Sequence, residues 1–221
     1  MPHPVLDDVR RIKQKATVLR NLKKYKEALE QFDAAVQKLD ALLVSAECDA
    51  DDARAARVEL ADTYGMKGGT YRRWVEHPDH RRLALQQYRK GLVEERKDKQ
   101  STYNAGNVIA LSISDERIPL DDALRSDLDR GIDELTHATQ GRRKDEFWAW
   151  ADLAQLHLVR KDLDQARASY RKALDTGPKP DELRRHIDVL RELGEGARAF
   201  DIELGDMIAS TIRELEQAQT R

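Results

Sequence analysis

The amino-acid sequence predicts an all-α fold, a right-handed solenoid of about ten antiparallel helices closed by a C-terminal capping helix. Three observations carry this expectation. Apolar residues recur every three or four positions along nearly the whole chain, with almost no alternating pattern of the kind a strand requires. The six prolines, at 2, 4, 78, 119, 178 and 180, punctuate the periodic stretches. Charged residues make up 36% of the 221 positions, yet 41 acidic side chains against 39 Lys plus Arg leave a net charge of only −2. A single-sign excess would favour disorder, whereas balanced charge around one apolar stripe per helix suits stacked helices.

The first stripe is Val9, Ile12, Ala16, Leu19 and Leu22, and after Lys23-Lys24-Tyr25 a second runs through Ala28, Leu29, Phe32, Ala35, Val36 and Leu39. That spacing predicts two helices and a tight turn, the unit at about 9–42. The design is clearest in the 34 residues from Phe147 to Pro180, with Trp150, Leu153, Ala154 and His157 in the first helix and Ala166, Tyr170, Ala173 and Pro178 behind them. It resembles a tetratricopeptide repeat, in which small residues let two helices approach closely and aromatics fill the space beside them. The same frame places a unit at about 54–97, with Leu60, Ala61 and Tyr64 in one helix, Ala84, Tyr88 and Gly91 in the other, and an insertion at 70–80. Gly65, Gly68 and Gly69 are expected to end a helix and begin that insertion. A further unit is expected at about 100–137, where Tyr103 to Ser114 forms a helix, Ser114 to Pro119 a loop, and Leu124, Leu128, Ile132 and Leu135 the partner stripe. Capping helices at 181–218 complete one helical-repeat domain over 1–221, because a lone repeat cannot bury its own face.

The middle of the chain carries a more specific pattern. Gly68-Gly69-Thr70-Tyr71-Arg72-Arg73, then Tyr88-Arg89-Lys90-Gly91-Leu92, then Tyr103-Asn104-Ala105-Gly106-Asn107 resemble the tetratricopeptide-like region of the apoptosis signal-regulating MAP-kinase-kinase-kinases, the TRAF-binding domain, which has stand-alone bacterial relatives. The resemblance runs roughly from Leu60 to Ala173, and the matching positions are Gly68, Tyr71, Arg72, Tyr88, Lys90, Gly91, Tyr103, Gly106 and Asn107. Ala105-Gly106 departs from it, since the family more often has Gly followed by a branched apolar residue. In that family the region is a regulatory module without catalysis that holds partner proteins and positions neighbouring domains. The resemblance therefore implies a scaffold or adaptor in a stress or defence signalling system, and it carries no kinase activity.

Helical repeats bind through the face made by successive first helices. In the first unit that face is predicted to present Arg10, Lys13, Thr17, Arg20 and Asn21, a basic and polar strip. Lys13 and Asn21 are similar in placement to the carboxylate clamp of chaperone-binding tetratricopeptide proteins, although Thr17 stands where that clamp has Asn; a solvated polar face is the ordinary alternative. In the fourth unit the positions are Trp148, Ala151, Gln155, Leu158 and Val159, where Trp148 is either an anchor for a partner helix or packing against the preceding repeat. Asn104 and Asn107, poor helix formers in a helix interior, require hydrogen bonds from a loop or from a ligand. Tyr71, Arg72, Arg73 and Trp74, with Arg81 and Arg82, form a basic and aromatic cluster in the insertion. Read as a protein contact it extends the scaffold; read as a stacking and phosphate-gripping surface it makes the chain a nucleic-acid-binding repeat protein.

His77-Pro78-Asp79-His80 is the one cluster with ligand-like spacing, but it lacks an organising helix, and no metal or other cofactor is expected. His137, His157 and His186 have no nucleophile paired with them in sequence, and Cys48, the single cysteine, has no neighbouring base. Catalysis is not expected. One cysteine excludes an internal disulfide framework. With neither a basic and apolar leader nor a long apolar run, the chain is expected to be cytoplasmic, away from membranes, with another protein or a neighbouring effector subunit as its partner.

Overall fold

In the computed structural model, which describes residues 3–98 and 103–219, the described residues contain ten α-helices joined by turns and irregular segments, and no strand. Pro2, and the expected start of the third unit at about 100, lie outside the described residues. The chain divides into two compact units, 1–108 and 109–221.

The first unit contains α1 (Pro4–Asn21), α2 (Tyr25–Leu43), α3 (Ala50–Arg73), α4 (His80–Asp98) and the first residues of α5 (Tyr103–Leu111). Local chemistry sets the boundaries. Pro4 opens α1 behind His3, whose ring nitrogen accepts the Val5 N–H at 3.3 Å. Asp49 caps α3 by accepting the Asp52 N–H at 2.8 Å. Each helix packs on the next, α1 on α2, α2 on α3 and α3 on α4. Leu6, Val9, Ala35, Leu39, Leu42, Ala56 and Leu60 form one apolar cluster, and Ala16, Ala28 and Phe32 another.

The glycine run does not end α3. The helix continues through Gly65, Gly68 and Gly69 to Arg73, so Thr70–Arg73 belong to it and the bend before α4 is confined to residues 74–79. The reason is a set of close approaches. A Cβ at Gly68 would stand 2.7 Å from the Tyr88 ring, and one at Gly65 would stand 2.9 Å from the Tyr103 ring. Glycine is therefore the seat of an aromatic in each case, and packing overrides its weak helix propensity.

The second unit holds the rest of α5, a π-helical turn at Ser112–Glu116, α6 (Asp122–Gln140), α7 (Phe147–Val159), α8 (Leu163–Asp175), α9 (Pro180–Ala197) and α10 (Ile202–Gln219). The expected loop at Ser114 begins instead as the π turn, which ends at Arg117 in a left-handed conformation with φ 53°. Asp121, Asp162 and Asp201 cap α6, α8 and α10 by accepting the N–H of Leu124, Gln165 and Leu204. Pairs α6 and α7, α7 and α8, and α9 and α10 pack together, and α9 also packs on the π turn. Gly196 allows that last contact: a Cβ there would run into the Ile113 carbonyl and stand 2.5 Å from the Ser114 Cα. One core, with Ile132, Leu153, Leu158, Leu190, Leu193 and Ile208 among its members, serves the whole unit. Among the described residues no helix is long and apolar enough to cross a membrane.

Candidate functional site: arginines and aromatics at the ends of α1 and α3

In the first unit the candidate residues separate into a sealed layer and an open one. Lys13 is nearly buried; its ammonium contacts Glu59 at 2.5 Å and also Asp62, while Arg10 Nε donates to the other Glu59 oxygen at 2.8 Å. Burial works against the Glu59 charge, but the hydrogen bonds from Lys13 and Arg10 overcome it and hold the carboxyl below its ordinary range. The predicted basic strip is thus internally neutralised at this end, and Lys13 offers little surface to a ligand. Asn21 is exposed at the end of α1.

Asn104 is also internal. Its side-chain amide donates to the Ala61 carbonyl at 2.9 Å and to Glu95 at 3.0 Å, and the backbone N–H groups of Asn104 and Ala105 donate to the same carboxylate at 2.9 and 3.1 Å. A buried carboxylate thus receives the first free N–H groups of α5, where the helix dipole also favours negative charge. Asn107 has a different role: its amide donates to the Tyr103 carbonyl at 2.8 Å, and its oxygen accepts from Arg72 at 3.3 Å.

The open layer lies where α1 and α3 end. Trp74 stacks on Tyr25 with ring centroids 6.0 Å apart and meets His77 edge-on at 4.8 Å, and Tyr71 meets the same imidazole at 6.4 Å. His77 and His80 are committed to the bend: His77 Nδ1 accepts the Asp79 N–H, His80 Nδ1 lies 2.9 Å from the His77 carbonyl, and Asp79 pairs with Arg82. Beside this bend Arg72 is hydrogen-bonded to Tyr88, which is hydrogen-bonded to Tyr103, and the two phenol rings meet edge-on at 6.1 Å. Burial raises the Tyr88 phenol far above its ordinary value, so it stays neutral.

Arg20 differs from the cations around it. It is half-buried, its Nε is fully enclosed without a hydrogen-bond partner, and it forms no ion pair among the described residues. Burial lowers its pKa and the nearby Arg73 guanidinium lowers it further, while the Tyr103 and Tyr88 phenols act in the opposite sense. Its place in the last turn of α1 is favourable to a cation by about 0.3–1 kcal/mol. Enclosing an uncompensated charge costs several kcal/mol, so the dipole alone does not account for it.

In the second unit Trp148 is half-buried. Its indole meets Phe147 at 5.2 Å and His186 at 6.2 Å, and the Arg185 guanidinium lies 5.9 Å over it. His186 and Arg185 both belong to α9, the later helix. Gln155 is buried. His186 is only 2% exposed, lies 3.0 Å through Nε2 from the Tyr170 hydroxyl, and is pushed down to about 4 by burial. A cavity of about 360 Å³ has an apolar floor of Ile113, Leu128, Phe200 and Leu204. Of the cations that line it, Arg160 pairs with Asp129 and Asp162, Lys161 pairs with Asp201 and Glu203, and Arg125 donates to the Leu120 carbonyl.

Sequence reasoning missed Glu59 and Glu95. Each reads as one of the many carboxylates on solvated helix faces, and only tertiary packing turns it inward. Asn104 did announce that a partner was needed, and its partner is nine positions earlier. Among the described residues no three His, Cys, Asp or Glu side chains are grouped as a metal site would require. No family model matches this chain, and no curated protein or solved structure matches it.

Proposed function

We propose that the chain is a non-catalytic helical-repeat scaffold or regulatory adaptor, built of tetratricopeptide-like antiparallel helix pairs in a right-handed solenoid, that binds another protein in the cytoplasm. One observation carries this reading. The α1–α2 turn and the α7–α8 turn occupy the same place in a 34-residue frame and share one backbone geometry. Lys23 and Lys161, each fifteenth in its unit, adopt φ 60° and 63°. The next residues, Lys24 and Asp162, donate to the carbonyls five positions back, Leu19 and His157, at 2.9 Å in both. The pattern is a Schellman-type helix end. Around it Ala16 and Ala154, Ala28 and Ala166, Ala35 and Ala173 are all fully enclosed, with Phe32 and Tyr170 between the last two pairs.

Two helical hairpins with one register, one turn and one set of enclosed small residues support a repeat architecture, and repeat architectures present wide preorganised surfaces. The family resemblance adds a regulatory role, in a stress or defence signalling system. A second reading, binding of nucleic acid, is favoured by the uncompensated Arg20 beside Arg73. The two are separated by capturing partners of the tagged full chain from its native cytoplasm, with and without nuclease. A stoichiometric protein that survives nuclease supports the scaffold. Recovery that disappears with nuclease, together with steeply salt-dependent binding of RNA or DNA by the pure chain, supports the alternative.

A further inference from the structure

We propose that Arg20 and Arg73, against the wall formed by Arg72, Tyr88 and Tyr103, make an oxyanion site that takes a phosphate monoester group. The site goes beyond the scaffold reading, because a pocket for phosphate stands or falls whether or not a protein partner exists.

The argument begins with unbalanced charge. Arg20 has an enclosed Nε with no partner, and neither Arg20 nor Arg73 forms an ion pair among the described residues. Two nearly buried cations of this unit are compensated, Lys13 by Glu59 and Asp62, and Lys67 by Asp33 at 2.5 Å. Arg20, whose Nε is enclosed, has no such counter-charge among the described residues. Two like charges near one another, one of them desolvated, form a strained arrangement that an anion relieves.

The surroundings are fixed in place. Asn107 accepts from Arg72 at 3.3 Å and orients it, and Arg72 is hydrogen-bonded to Tyr88. Tyr88 is almost fully enclosed, and its ring rests on Gly68. The hydroxyls of Tyr88 and Tyr103 converge, lying 3.6 and 3.7 Å from the point a Gly69 Cβ would occupy. Arg73 is exposed and Arg20 half-buried, so a ligand reaches the pair from solvent with one guanidinium at its edge and one within.

The charge count selects the ligand. A carboxylate or a phosphodiester carries one negative charge and balances one arginine. A phosphate monoester carries about −1.5 to −2 at pH 7 with three acceptor oxygens, and so balances both. The planar guanidinium fork also pairs two of those oxygens at once. The monoester belongs either to a phosphorylated side chain of a protein or to a small phosphorylated molecule, and the two sources share this chemistry.

The test is calorimetric titration and thermal melting of the full chain with inorganic phosphate at constant ionic strength, with acetate as the control. Phosphate is expected to bind with saturation and to raise Tm by about 4 °C at ten times its Kd, whereas acetate does not. Arg73→Ala, an exposed change that leaves the fold intact, is expected to weaken phosphate binding at least tenfold. Arg20→Met is expected to melt higher than the parent without phosphate, because an uncompensated charge is gone, and to lose the phosphate response. A short neutral peptide bearing one phosphoserine that binds tenfold tighter than phosphate assigns the group to a protein; equal affinity assigns it to a free molecule. Absence of a phosphate response in the parent, or a response in both variants as strong as the parent's, overturns the site. So does a short oligothymidylate that binds while phosphate does not.

Discussion

The Glu95 carboxylate accepts both the backbone and the side-chain N–H of Asn104, at 2.9 and 3.0 Å, in a place only 2% exposed to solvent. One oxygen of Glu95 thus serves two donors of Asn104 while the other holds the Ala105 N–H. Glu95→Gln retains the shape but removes the charge from the start of α5 and turns one acceptor into a donor facing donors. The expected loss is about 2–3 kcal/mol of stability, read as a lower urea midpoint with unchanged slope.

Gly91 faces the same asparagine. A Cβ at position 91 would lie 2.5 Å from Asn104 Nδ2, and Asn104 cannot swing away without breaking its bonds to Ala61 and Glu95. Gly91→Ala is expected to cost about 2–3 kcal/mol through overpacking. Gly106, in the same region, has nothing within 4 Å of its Cβ position, so Gly106→Ala is expected to stabilise by about 0.5–1 kcal/mol through helix propensity. Opposite shifts of the two variants in one denaturation series check the pair.

His186 gives the second unit a pH dependence. Its folded pKa, about 4, lies below the ordinary 6.5, so the folded state binds fewer protons than the unfolded chain between those values. Stability from this group is complete above about pH 6.5 and is lost as pH falls toward 4, by about 3 kcal/mol in all. Replacing it by His186→Gln keeps an amide for the Tyr170 hydroxyl but removes the titration. The stability gap between parent and variant is expected to narrow by about 2 kcal/mol from pH 7.5 to pH 5, measured by denaturation at each pH.

Trp148 rests on Phe147 and His186 by one part of its ring and is open to solvent elsewhere. Trp148→Ala is expected to weaken binding of a captured partner by about 2 kcal/mol while helix content at 25 °C is retained. Early melting with loss of helicity would assign the whole indole to the core.

Much of the helical framework was legible in the sequence because it is written in local spacing. Ala16, Ala28 and Ala35 occur at the intervals of Ala154, Ala166 and Ala173, and all six are enclosed in the structure. Gly68 and Gly69 were not legible in this way. Their local propensity points to a helix end, while the ring of Tyr88, twenty positions from Gly68, keeps them inside α3. The candidate site divides likewise. Asn104 was recognisable as a residue in need of partners, but Glu95 and the Ala61 carbonyl are supplied by packing. Arg20 and Lys13 read alike as polar-face cations, and only their surroundings, two carboxylates for Lys13 and none for Arg20, separate them.

The most direct test of the scaffold reading is binding between the pure full chain and the pure form of the protein captured with it, followed by sedimentation and titration after nuclease treatment. The account predicts a binary complex of fixed stoichiometry that forms without nucleic acid and is weakened by Trp148→Ala. A chain that forms no binary complex, yet binds RNA or DNA with an affinity falling steeply as salt rises, would contradict it.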